Sequence, residues 1–247
     1  AFAQFLRNAL RSVVADTPEA EAFLDRVGID ESAFFGASQI ELRPDGSRFV
    51  WAGQEVALSV PGAHNVANAA AALTACVIAG ARPREVAGTL ADFAGAGRRF
   101  ERLGPAAGSG ALVVDDYAHH PTELRATISA ARTLGLGRVV AVFQPHLFSR
   151  TQLLAREFGA ALAQADAAVV LDVYPSRERP QDFPGVTGRL IAEAAADAAR
   201  GRLVAWAPGF DQAQRVLRLW LRPRDVCLVM GAGDVDELAR RLAGPSD

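Results

Sequence analysis

Val113-Val114-Asp115-Asp116-Tyr117-Ala118-His119-His120-Pro121-Thr122-Glu123 passes from an apolar run into two carboxylates and two imidazoles, then into a proline of the kind that opens a helix. It reads as a strand whose carboxyl end carries polar groups and feeds a helix. The pattern recurs at residues 138–151, where RVVAVF is followed by QPHLFSRT. Outward from these two segments, apolar runs at 111–114, 138–143, 167–171, 203–205 and 226–230 alternate with helical patterns at 121–134, 149–164, 186–199, 210–219 and 235–242. Short apolar strands separated by amphipathic helices predict an α/β fold, a doubly wound, mostly parallel, Rossmann-like sheet covered on both faces. Ligands of such sheets sit beyond the carboxyl ends of the strands. Both segments fall there.

The first 97 residues read differently. Helices are expected at 2–10 and 18–27 with a strand at 12–15 between them, then strands at 40–43, 48–52 and 55–60, and helices at 65–79 and 83–93. Gly95-Ala96-Gly97 marks the boundary, giving units 1–97 and 98–247. The first block has too few parallel-strand units for a complete domain and is expected to be the back half of one.

Composition narrows the function. Half of the 247 residues are apolar and the net charge is −2, which gives no support for binding nucleic acid or an anionic membrane. No apolar run approaches the roughly 20 residues that cross a bilayer, and the start lacks a secretory apolar region. Cys76 and Cys227 both sit in apolar settings, where a free thiol acts as a small core hydrophobe, and a cytoplasmic location is expected. All 26 basic residues are arginine. The absence of lysine excludes a phosphate-loop lysine, a Schiff base and a lysine general base within these residues.

All four histidines lie in three polar segments, each following an expected strand. In Pro61-Gly62-Ala63-His64-Asn65-Val66-Ala67-Asn68, helix capping explains one polar residue but not His64, Asn65 and Asn68 together. In the Asp115–Glu123 stretch, four ionisable groups in six residues exceed what a capped helix start requires. In the third, His146 and Arg150 share a strand end, and Arg150 offers a planar fork for a carboxylate or phosphate. Tyr174-Pro175-Ser176-Arg177-Glu178 and Gly231-Ala232-Gly233-Asp234 line the same rim more weakly, and Arg98-Arg99 sits at the boundary, where solvated charge is the commoner fate.

Taken in order, PGAHNVANAAAAL, GRRFE, DDYAHHPTE, FQPHLFSRT, VYPSRE and MGAGD, spread from about Val60 to Leu242, resemble the Mur ligases. The DYAH core and the HN element are shared across that family, and DDYAHHPTE with QPHxxSR is similar to its alanine-adding members. The resemblance implies ATP-dependent amide synthesis: a muramate carboxylate is phosphorylated by ATP with magnesium, and the amine of L-alanine attacks the acyl phosphate. It implies UDP-N-acetylmuramate and L-alanine as partners. It also implies that residues 1–97 are part of a central ATP-binding domain and 98–247 an amino-acid-binding domain. Carried over by position, His64, Asn65 and Asn68 surround the adenine, and Arg99 and Asp116 contact the ATP phosphate and ribose region. Tyr117, His119, His146 and Arg150 form the alanine pocket, with Arg150 on the carboxylate and Tyr174 as a neighbour; Arg99, Asp116 and His119 are the residues expected to carry catalysis.

Two departures stand out. Some members carry a second arginine where this chain has Leu147. The family's GTxGKT loop, its magnesium ligands and its UDP-binding domain would all precede residue 1, so the chain is expected to be an incomplete portion, inactive alone. Two other classes compete. A metal-dependent hydrolase would use Asp115, Asp116, His119, His120 and His146 as ligands; a binding module would have no catalysis.

Overall fold

The computed structural model describes residues 12–27, 32–93 and 95–244, and divides into two units, Ala1–Ala94 and Gly95–Asp247. The helix expected at 2–10 lies outside the described residues. In the first unit, β1 (Val13–Ala15) and β2 (Ala33–Phe35) pair in parallel, with α1 (Pro18–Val27) between them in sequence. β3 (Ser38–Arg43), β4 (Gly46–Trp51) and β5 (Gln54–Leu58) form an antiparallel meander. Alternation along β4 and β5 sends Phe49, Trp51, Val56 and Leu58 inward, where they meet Val66, Ala69, Ala70 and Leu73 of α2 (Ala63–Ile78). The helix expected over 83–93 is broken: α3 (Pro83–Ala87) gives way to a 3-10 turn at Gly88–Asp92. The change falls at Gly88, a poor helix former, and the Thr89 hydroxyl donates to the Val86 carbonyl at 2.8 Å within the turn.

The second unit is a six-stranded sheet in the order β10-β9-β8-β11-β7-β6, built from β6 (Glu101–Pro105), β7 (Leu112–Asp116), β8 (Val139–Phe143), β9 (Ala167–Val170), β10 (Leu203–Trp206) and β11 (Val226–Met230). Its pairs are parallel except β6 with β7. Strand alternation splits the core into two layers. Val114, Phe143, Val170 and Leu228 face α4 (Pro121–Thr133), α5 (Phe148–Leu162) and α6 (Arg189–Ala198) through Leu124, Ile128, Phe158 and Ile191. Val113, Val142, Val169 and Val229 face α7 (Phe210–Trp220) and α8 (Asp236–Ala243) through Leu217, Leu238 and Leu242. This is the doubly wound arrangement that the alternation predicts.

The antiparallel edge β6 was not read from the sequence, and the two cysteines differ in fate. Cys227 is fully buried in β11, and burial pushes its thiol up to about 12, which makes it inert. Cys76, expected in a core, is exposed instead. The buried face of α2 runs through Val66, Ala69, Ala70 and Leu73, and residue 76 falls to one side of it.

Candidate functional site

In the second unit, the carboxyl ends of β7 and β8 deliver their polar segments to one crevice. After β7 the chain makes a tight polar turn before α4. The His120 ring accepts from the Thr122 amide at 3.3 Å, and Glu123 accepts from the amides of His119 and His120 at 2.8 and 3.1 Å. His120 is therefore an exposed helix cap, with its ring turned to the helix end rather than to the crevice. The same capping box fixes the backbone of His119.

Four rings assemble around that point. His119 lies 5.4 Å edge-on from Tyr117 and 6.1 Å from His146, and His146 stacks on Tyr174 at 5.7 Å with an interplanar angle of 16°. His119 Nδ1 is 2.9 Å from the Tyr117 carbonyl, which can only accept, so in the neutral ring Nδ1 carries the proton and Nε2 presents a lone pair. Burial and the charge of Arg150 hold His146 below its ordinary value, so it is neutral at pH 7; its Nδ1 is buried and has no hydrogen-bond partner. Arg150 rises from the first turn of α5 and donates one N–H to the His119 carbonyl at 3.3 Å. Tyr174 comes from the loop after β9, tied in by an isolated parallel bridge with His146. The structure thus brings Tyr117, His119, His146, Arg150 and Tyr174 together.

The adjacent arginines at the unit's start diverge. Arg98, at φ 57, turns inward: it donates to Asp115 at 3.2 Å, to the Gly233 carbonyl at 2.9 Å and to the Gly231 carbonyl at 2.6 Å, and lies 3.4 Å from Asp236. Arg99 stays exposed, with its guanidinium 5.4 Å from the Tyr117 ring centroid. Sequence reasoning singled out the Arg98-Arg99 pair and carried only Arg99 to the phosphate region, since two neighbouring arginines carry the same signal.

The carboxylates are buried behind these cations. Asp116 accepts from the amides of Phe100 and Ala118, both at 2.8 Å, which makes it a clamp between the entry strand and the Tyr117 turn. Burial raises its pKa, opposed by those two amides and by Arg99. Asp115 is 1% exposed and is pushed up to about 6 by burial, with Arg98 pulling the other way. With Asp115 facing Arg98, Asp116 bonded to backbone amides and His120 capping α4, the five ligands of a metal hydrolase do not converge. Among the described residues no three His, Cys, Asp or Glu side chains gather to hold a metal ion.

In the first unit, α2 begins after Gly62, at φ 104, which has no side chain to cap the helix start. Asn65 donates through its amide to the Pro61 carbonyl at 2.8 Å, bracing the strand-to-helix turn. His64 is half-buried and Asn68 exposed one turn further on.

Comparison with known proteins meets this geometry. The profile described as "Mur ligase, glutamate ligase domain" matches residues 98–233, more than half of the chain. A UDP-N-acetylmuramate–L-alanine ligase of Chlorobaculum parvum is 46% identical over 241 residues, covering 92% of this chain and 51% of its own length. The enzyme of the same name from Kineococcus radiotolerans is 55% identical over 183 residues, covering 74% and 38%. The crystal structure of the UDP-N-acetylmuramate–alanine ligase of Thermotoga maritima superposes with a TM-score of 0.73 at 25% identity, over 98% of this chain and 52% of that one. The chain spans about half the length of the curated relatives it matches. By the profile and these relatives, the chain belongs to the Mur ligase family.

Proposed function

We propose that this chain supplies the amino-acid-binding part of an ATP-dependent ligase that joins L-alanine to UDP-N-acetylmuramate through an acyl phosphate, in peptidoglycan precursor synthesis in the cytoplasm. The single observation that carries it is the crevice in which Arg150, His119 and His146 converge between two tyrosines. An α-amino acid needs a cation for its carboxylate and acceptors for its amine. Arg150 offers the first, and the Nε2 lone pair of His119 and the neutral ring of His146 offer the second. The neutral His146 ring also suits an amine that must shed a proton before it attacks. The crevice is walled by rings.

In the same reading, Gly95–Asp247 is the amino-acid domain and Ala1–Ala94 is part of the ATP-binding domain. His64, Asn65 and Asn68 are its adenine-side residues, and exposed Arg99 is free to reach a phosphate. Asp116 acts by holding the Tyr117 turn in place rather than by touching ribose, because its oxygens already serve two amides. ATP with magnesium supplies the activating phosphoryl group. The fit to it here is one of cations and polar donors; no metal-ligand set is among the described residues.

Titration with L-alanine, followed by the imidazole signals of His119 and His146 in NMR, tests the reading. Both signals should move saturably, and Arg150→Ala should weaken binding by roughly tenfold or more through loss of a charge-assisted bond. An Arg150→Ala chain that binds L-alanine as well as the parent would remove the carboxylate role and the reading with it.

A further inference from the structure

A free amino-acid carboxylate is best held by two convergent cations or one bidentate fork. In the crevice Arg150 is one cation, but part of its fork is already turned to the His119 carbonyl. Leu147, beside it, is buried and brings no charge. A second arginine, Arg177, stands on the loop that forms the other wall.

The loop after β9 is fastened to the crevice at both ends. At one end the Tyr174 amide donates to the Pro145 carbonyl at 2.8 Å and the Leu147 amide to the Tyr174 carbonyl at 3.0 Å, while the Tyr174 ring stacks on His146. At the other, the Glu178 carboxylate accepts from the Ser149 amide at 3.0 Å and from the Ser149 hydroxyl at 2.5 Å. Between them, Ser176 at φ 51 and the bond from the Glu178 amide to the Pro175 carbonyl at 2.9 Å make a tight turn. Arg177 therefore lies between a residue stacked on His146 and a residue bonded to the neighbour of Arg150.

Solvated charge is the usual fate of an exposed arginine such as Arg177, and three observations leave it available to a ligand at the crevice. Among the described residues Arg177 has no hydrogen-bond or ion-pair partner, whereas Arg179 in the same loop is paired twice with Asp182, at 3.0 and 3.1 Å. The acid next to Arg177 in sequence, Glu178, has its oxygens committed to Ser149. The charges of Arg150 and Arg177 both act on the His146 ring. Two cations whose fields both reach one imidazole disfavour each other until an anion arrives.

We infer that Arg177 is a second carboxylate ligand that closes with Arg150 on the incoming amino acid, and so selects a free α-carboxylate over its amide. This rests on the function proposed above and deepens it. The probes are L-alanine and L-alaninamide, which keeps the amine and loses the carboxylate, titrated into the 247-residue chain with the histidine signals as readout. Arg177→Gln should weaken L-alanine by about tenfold and leave L-alaninamide where it was, erasing the preference between them. Arg177→Lys should restore part of it as a point charge. In the ligand-free Arg177→Gln chain the His146 titration should move upward, because a nearby cation is gone. A purely structural loop residue would shift neither the preference nor that titration. If Arg177→Gln binds L-alanine like the parent while Arg150→Ala does not, Arg177 is not a ligand and the crevice assignment stands. If the parent shows no L-alanine-dependent change at all, the proposed function falls and this inference with it.

Discussion

Replacing Asp115 by asparagine should make the second unit more stable at neutral pH, although it removes one partner of an ion pair. Asp115 is 1% exposed, its Oδ2 is 3.2 Å from Arg98 Nε, and its Oδ1 has no partner. Burial outweighs the arginine and raises the carboxyl from its ordinary 3.8 to about 6, helped by Asp236, Glu101 and Asp116. Since the folded state holds this proton more tightly than the unfolded chain, the stability it confers is fully present below 3.8 and lost as pH rises through about 6. At about 1.4 kcal/mol per pH unit, that interval amounts to about 3 kcal/mol. An amide cannot ionise and is the closest mimic of the protonated acid, so Asp115→Asn should match the parent near pH 4 and exceed it by about 3 kcal/mol near pH 7.5. The loss of Arg98's partner does not reverse the sign, because Arg98 keeps the Gly231 and Gly233 carbonyls and Asp236. Urea unfolding followed on the methyl signals of Leu228 and Val229 isolates this unit from the first. Parallel stability profiles for the two proteins across that range, or a less stable variant at pH 7.5, would refute the argument.

A Cβ at Gly233 would stand 2.5 Å from both Tyr174 Cγ and Gln144 Oε1. Gly233→Ala should therefore cost about 1–3 kcal/mol and displace Tyr174 from His146, seen as a changed ring-current shift at the histidine; an unshifted His146 signal would show that the turn yields instead. With no lysine and no GxxxxGK[ST] run, the 247-residue chain by itself should release no phosphate from ATP and should bind ATP and ADP alike in calorimetry. Turnover at an enzyme's usual rate would overturn that.

The parallel sheet was legible because Val139–Phe143 and Val226–Met230 are uninterrupted apolar runs, buried at every position. The crevice was legible because polar segments at strand ends must meet there. β6 was not. Glu101–Pro105 holds a glycine and a proline, is half-exposed, and becomes a strand only by pairing with β7. Nor did sequence separate Arg98 from Arg99: a left-handed backbone at residue 98 sends one side chain in, and no local pattern announces that. The hydrolase alternative grouped His120 with His119 as a ligand for a related reason. A histidine that caps a helix and one that faces a ligand look alike until the turn between them is seen. The helix over 83–93 broke at Gly88, a poor helix former, where the chain tightens into a 3-10 turn.

Leu147 holds φ at 73, a conformation unusual for a branched side chain, and does so through main-chain bonds: its amide to Tyr174 and its carbonyl to the Thr151 amide at 3.0 Å. The two walls of the crevice are thus joined backbone to backbone, through the paired residues 146 and 174. A framework of this kind leans on the main chain more than on the side chains that project into the cleft. Over evolutionary time the residues lining the cleft can be exchanged one by one while the cleft keeps its shape, so a change of amino-acid preference need not pass through a misfolded ancestor.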